Sequence, residues 1–484
     1  MRCPILAVLM FFYITCSAQR DAYWFFGDSA GIHFTNNTTV PITGAVVSDE
    51  GSTVVSDLNG NLLFYAGSKF FSGNYGAIYN RNHQIMQGGD SLKTFASFTQ
   101  GIFIVPFVSD TNKYYVFYQD GGRSGYPKVG FYYSIVDLSF NLGLGAVFQK
   151  NTLVDTISRS EKRVLVKHAN GRDWWIICHP QDNDLYIKYL IVNDSLTGPF
   201  FQNIGSVIHV DNGGKMSISP DGKYLVTPCQ SGALDLFDFD RCSGMLSNWR
   251  YLGDSNVNPW GFDRYFGTCF SNNNLLYVAT FDSIWQFDAK SNNPSTTKQF
   301  LFADNNPNSG IGQMQKGPDD KIYFCSAGAI NGVWPPAIVD SLSQHLSVIE
   351  QPDSLGLSCN LVPYSVSLGS RWCLLGLPFM PNYELGADSA SICDTLSTGL
   401  NYITQLEKSL LLYPNPVIDE LTIVSPDYLI QLVEVYNLYG ELIFSDSNSI
   451  SHTQKINMSN FMQGIYFVKL TTSRGVVTKK ILKW

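Results

Sequence analysis

The chain has 484 residues, enough for two or three domains, and a net charge of −8 with only 15% charged residues. Such a sparse, acidic balance excludes the basic surface that a nucleic-acid partner requires. Aromatic residues at 14% and 41 glycines describe strands joined by tight turns.

In chain order, Arg2 supplies one positive charge, an apolar run follows from Ile5 to Ile14, and the small residues Ser17 and Ala18 precede Gln19. This is the layout of a secretory signal peptide over residues 1–18, cleaved after Ala18 and too short for a comfortable membrane span. Cys16 offers a lipoprotein alternative, for which Thr15 is a poor preceding residue. No later run approaches membrane-spanning length, so no transmembrane segment is expected in the mature chain. Eight of the ten cysteines lie beyond the signal. An even number in an exported protein permits disulfides of undetermined connectivity, with Cys229–Cys242 the first pair to test. Plain buried thiols are the other reading.

Six segments then repeat one pattern, a polar turn followed by an aromatic and aliphatic run. They are "SDLNGNLLFYA" from Ser56, "SDTNKYYVFYQ" from Ser109, "ANGRDWWIICH" from Ala169, "SPDGKYLVTPC" from Ser219, "SNNNLLYVAT" from Ser271 and "GPDDKIYFCSA" from Gly317. Their apolar runs begin 47 to 60 residues apart. Asn-Gly and Asp-Gly tolerate the positive φ of a hairpin turn. Runs such as "WWIIC" lack polar alternation, so both faces must be buried, as in a strand of a propeller blade sandwiched between two others. A seventh unit follows at "YSVSLGSRWCLLGLPF" (Tyr364–Phe379), with Trp372 in register but no outer strands after it. Tyr23–Thr35 at the other end is strand-like and unpaired. Joining the two ends in one blade leaves no open sheet edge. The expected fold is all-β: a seven-bladed β-propeller over residues 19–385, with six blades as the alternative, then a linker over 386–409. "SPDGKYLV" and its relatives resemble the repeats of TolB-like and WD40-like propellers, a likeness of fold that says nothing of ligand.

From about Leu410 the strands become short and alternating, "ELTIV", "GIYFVKLTT" and "GVVTKKILKW", as in a small antiparallel, immunoglobulin-like sandwich. In "YPNP" (Tyr413, Pro414, Asn415, Pro416) each proline removes a ladder donor, so the segment can lead into a sheet but cannot lie in its middle. Gly440 and Gly475 provide hairpin turns. These residues, with "VEVYNLYGELIF", "MSNFMQGIYFVKL" (Gly464) and the terminal "VTKKILKW" (Lys479, Lys480), resemble the type A C-terminal sorting domain of the type IX secretion system, over residues 410–484. The resemblance implies export through the periplasm to the outer cell surface or the medium. It also implies handling by the type IX machinery, removal of the tail by its sortase-like peptidase, and attachment to surface lipopolysaccharide or release. The whole chain also looks like surface proteins of bacteria with that route, a propeller joined to a sorting domain with no assigned activity.

The triplet Asp-(Ser/Thr)-apolar occurs nine times, against roughly two expected from composition, and resembles a bacterial O-glycosylation signal. Its hydroxyl residues are Ser29, Ser91, Thr156, Ser195, Ser283, Ser341, Ser354, Ser389 and Thr395. Turn chemistry alone also enriches the pattern.

Signatures of zinc hydrolases, redox dithiols, serine hydrolases and nucleotide binding are absent. No catalytic residue, cofactor or metal is assigned. His179 with Asp182 and Asp184 lacks a third metal ligand and reads as a hydrated turn, and "DLNGN" and "NPNSG" read as hairpin turns. Trp260, Arg264 and Trp334 are the candidate ligand face, since aromatic rings stack on sugars; packing on neighbouring blades is the competing reading. The leading expectation is a non-enzymatic surface protein that binds a glycan or a protein. The alternative is a propeller enzyme degrading extracellular polysaccharide, with two facing carboxylates of which one has a raised pKa.

Overall fold

The computed structural model describes residues 20–35, 38–69, 75–94, 97–120, 130–157, 159–208, 213–254, 265–305, 310–327, 341–391, 393, 410–426, 429–437, 441–447, 451–472 and 475–484. The chain divides into two compact units, Met1–Asp388 and Ser389–Trp484. Both are built of strands; the helical content among the described residues is four 3-10 turns of three or four residues.

The first unit is a succession of antiparallel sheets, each a meander whose spatial order follows the chain. Tyr23–Phe34 pairs with Thr39–Ser48, and a second sheet takes Ser52–Ser56, Leu62–Ser68 and Gly76–Asn80. Isolated bridges from Gly76 to Leu92 and from Tyr79 to Ile85 extend that second sheet. Five four-stranded sheets follow, opening with Ile102–Pro106, Arg163–Lys167, Ser217–Ile218, Thr268–Phe270 and Gly310–Lys316. The six repeated apolar runs are the second strands: Leu62–Ser68, Lys113–Gln119, Trp174–Cys178, Tyr224–Pro228, Leu275–Ala279 and Ile322–Ala327. Trp174–Cys178 and Leu275–Ala279 are buried at every position, which explains why no polar alternation is written there. Five of the six turns before these strands carry the expected positive φ, at Gly60, Gly171, Gly222, Asn274 and Asp320; the turn before Lys113–Gln119 has none.

First strands lie side by side in two runs, Tyr23–Phe34 on Ser52–Ser56 and that on Ile102–Pro106, then Arg163–Lys167, Ser217–Ile218, Thr268–Phe270 and Gly310–Lys316 in sequence, with hydrogen bonds from Arg163 to Gln100 linking the two runs. The two ends of the unit meet. Asp28 N–H donates to Trp372 O at 3.0 Å, Gln313 N–H to Leu375 O at 2.8 Å, Gly376 N–H to Asp49 O at 2.9 Å and Phe379 N–H to Ser52 O at 2.7 Å. Residues 372–379 thus tie the last sheet to the first two. Gly376 is required there, because a Cβ at that position would stand 2.1 Å from the Glu50 carbonyl oxygen.

The second unit has two sheets. Leu411–Tyr413, Glu420–Val424 and Thr453–Asn457 form one, and Ile430–Tyr436, Leu442–Asp446, Gly464–Thr472 and Gly475–Lys483 form the other. They share one apolar core that includes Leu421, Ile423, Ile456, Val433, Val435, Val468 and Leu470. Tyr413 ends its strand and the two prolines lie outside the ladders, as their missing donors require. Asn415 does the pairing between them: its side-chain oxygen accepts from Leu482 N–H at 2.9 Å and its amide donates to Lys480 O at 3.3 Å.

The expected Cys229–Cys242 bridge is not made. Cys229 is a buried thiol 3.0 Å from Ser231 Oγ, while Cys242 is disulfide-bonded, as is Cys393. Cys229 follows an inward-facing strand and Cys242 sits in the turn after the neighbouring one; their nearness in sequence does not become nearness of side chains.

Candidate functional site

Two gatherings of polar side chains in the first unit lie at the first strands. The first lies in the residues that enter those strands. Thr99 Oγ1 stands 2.5 Å from Glu50 Oε2 and 3.0 Å from Glu161 Oε2, and Thr99 N–H donates to the same Glu161 oxygen at 3.1 Å. One hydroxyl hydrogen cannot serve two acceptors. Burial, and then the Glu161 carboxylate, push Glu50 well above the usual range. A proton on Glu50, donated to Thr99, leaves the Thr99 hydroxyl hydrogen for Glu161. Gln313 closes the cluster, donating to Thr99 O at 3.0 Å and Glu50 O at 3.4 Å. Gln100 joins Arg163 N–H and Met216 N–H through its side-chain oxygen. All these residues are buried, and so is Asp49, pushed by burial up to about 7. Here are the two carboxylates that the enzyme reading requires, but Thr99 occupies the space between them.

The second place is a cavity of about 240 Å³. Its walls come from the strands starting at Arg163, Ser217, Thr268 and Gly310, and from the segment Phe379–Leu385, which covers them. Lys215, Asp21, Lys316 and Asp320 line it, with Phe270 and Phe379. Burial pushes Asp21 up to about 6 and Lys215 down to about 8. Asp320, despite partial burial, is held below the ordinary range by the Lys316 ammonium at 2.6 Å and by Asn272.

The sequence-derived candidates fall elsewhere. Trp260, Arg264, Trp334, Gly440 and Thr395 lie outside the described residues. His179 is buried against Tyr186 with Nδ1 2.6 Å from Pro180 O, and burial lowers it to about 4, so its ring is neutral. Asp184 accepts from the Asn203 amide at 2.7 Å. Among the described residues no group of three His, Cys, Asp or Glu side chains could hold a metal ion. Asp57 caps its own turn through Asn59 and Asn61. Ser91, Thr156, Ser195, Ser341 and Ser389 are exposed; Ser29, Ser283 and Ser354 are partly so. Lys479 and Lys480 pair in register with Val468 and Phe467, and Gly464 begins that partner strand. The sequence reading missed Asp49, Glu50, Thr99, Glu161 and Lys215. Each stands two or three residues before a first strand, where polar residues are ordinary, so no sequence signal singles it out.

Residues 411–483 match the family described as the secretion system C-terminal sorting domain. The tail is a sorting domain, and it implies handling by the type IX secretion system and export to the cell surface or beyond. Over 98 residues the chain is 30% identical to the ulvan lyase NLR42 of Nonlabens ulvanivorans. That match takes in 20% of this chain and spans only 18% of the enzyme's length. Among solved structures, the β-propeller domain of Cps50 (Swd1) from Myceliophteria thermophila is 10% identical, with 64% of this chain and 94% of that one covered and a TM-score of 0.36. PorZ, an essential surface component of the type-IX secretion system of Porphyromonas gingivalis, is 10% identical, with 96% and 74% covered and a TM-score of 0.29. Among the described residues no helix is long and apolar enough to cross a membrane.

Proposed function

We propose that this protein is an exported binding module: a seven-bladed propeller made by residues 19–385, secreted with the help of a signal peptide over residues 1–18 and an immunoglobulin-like sorting tail. The seven consecutive meander sheets, with first strands adjoining in two linked runs and ends tied through Asp28 and Trp372, support the ring. A sortase-like peptidase removes the tail, and the freed module is attached to surface lipopolysaccharide or released. Asp-Ser and Asp-Thr turns such as those at Ser91 and Ser195 carry O-linked sugars. The ligand is a glycan or a protein.

The observation that carries binding over catalysis is the sealed acid pair. Glu50 and Glu161 are buried, bridged by Thr99 and covered by Gln313, which leaves no place for a glycosidic bond between them. A second reading draws on the cavity, where Asp21 is raised and Asp320 lowered, the divergence that a general acid and its partner need. In that reading the protein cleaves extracellular polysaccharide.

Two measurements decide. A chain lacking residues 410–484 should accumulate in the periplasm of its host; normal surface display would overturn the export reading. Purified protein on arrays of extracellular glycans and matrix proteins should bind without releasing new reducing or unsaturated ends, and such release would establish the enzyme instead.

A further inference from the structure

Lys215 is buried at 6% exposure and lines the cavity. Its ammonium donates to Met314 O at 2.5 Å and to Gln315 Oε1 at 2.6 Å, both neutral acceptors. Among the described residues no carboxylate forms an ion pair with it, although the cavity holds three. Asp320 is engaged with Lys316, Glu384 stands 3.6 Å from Arg20, and the charges acting on Asp21 are those of Lys316, Glu384 and Asp319. A buried cation without a counter-charge is costly, and an anion entering beside it removes that cost. The third ammonium hydrogen is available for this purpose.

The remaining walls narrow the choice of anion. Phe270, Phe379, Met216 and Val166 give apolar contact, and Arg20, Asp21 and Glu384 give donors and acceptors. That combination fits a compact molecule with C–H faces and several hydroxyls. The volume of about 240 Å³ accommodates one ring.

We propose that this cavity binds a single sugar acid, its carboxylate on the Lys215 ammonium and its ring against Phe270 and Phe379. The proposal rests on the binding-module reading and names one ligand class for it. Because burial holds Lys215 to about 8, the site is charged at neutral pH and loses its charge in mild alkali.

The test is calorimetric titration of the chain lacking residues 1–18 with D-glucuronate, methyl glucoside and acetate at pH 6.5. Glucuronate should bind saturably, and the other two at least tenfold more weakly. Raising the pH to 9.5 should weaken glucuronate at least tenfold. Lys215→Met, which keeps the apolar stem, should abolish binding; should that variant not fold, Asn382→Asp adds a negative charge to the cavity wall and should weaken binding at least fivefold. Failure of glucuronate to bind overturns the proposal, as does equal binding of methyl glucoside or acetate, or unchanged binding in a folded variant. A positive glycan array with no glucuronate binding would remove this site and leave the binding-module reading standing.

Discussion

The two units differ in how much charge they bury: several charged side chains lie inside the first, and among the described residues of the tail Lys483 alone is buried. In the first, Asp49, Glu50, Glu161, Lys162, Arg163, Lys188 and Lys215 are all buried. In the tail, the core is apolar from Leu410 to Ile481, and the ion pairs Lys455–Glu420 and Lys469–Glu434 lie outside it at 2.6 and 2.8 Å. A domain that is only recognised can keep its chemistry on the surface and hold itself together by burial. Interior charges are expensive, and in the first unit their hydrogen bonds join sheets that are distant in sequence: Glu161 with Thr99, Arg163 with Gln100 and Lys215 with Met314. The polar interior positions the first strands; the apolar interior of the tail only has to be closed.

The strongest way to break this comparison is in the tail core. Leu470→Ala should cost about 3 kcal/mol and lower the tail's transition in scanning calorimetry of the chain lacking residues 1–18. The transition of the first unit should stay where it is. A joint shift of both would mean that the units do not hold themselves independently.

A smaller effect sharpens the other side. Folded Asp49 keeps its proton up to about 7, whereas an unfolded aspartate loses it near 4. Its contribution is therefore complete below the unfolded value and drains away as pH rises toward and through 7. Asp49→Asn keeps the shape without the titration. The variant should gain roughly 2 kcal/mol on the wild type between pH 5 and pH 7, read from denaturant unfolding at each pH. A constant difference across that range would show that Asp49 does not carry the pH dependence. The smallest effect is expected at Asn415. Asn415→Ala removes two exposed hydrogen bonds to the last strand and should lower the tail's stability by about 1 kcal/mol or less; a loss as large as that of Leu470→Ala would show that the clip, and not the core, holds the tail.

The repeats were legible because the second strands are covered on both faces, so "WWIIC" and "LLYVA" are written without polar interruption. The tie between the ends was legible from what was missing, outer strands at one end and a partner at the other. The tail was read from several motifs in fixed order, and its likeness to the sorting-domain family covers nearly the same residues. The acid cluster was not legible. Glu50, Thr99, Glu161 and Gln313 each look like an ordinary polar residue before a strand, and only the meeting of four sheets brings them together. Lys215 was hidden for the same reason. Its neighbours Met314 and Gln315 come from a sheet two further along the chain.

The bridge between Asp28 and Trp372 has a consequence for how the molecule comes into being. The first sheet cannot be completed until nearly the last residue of its unit has been made and delivered. Contacts so remote along the chain form slowly, after the intervening loop has been brought to heel. An interrupted polypeptide therefore leaves an open edge at its beginning, and synthesis yields a locked product in one late step.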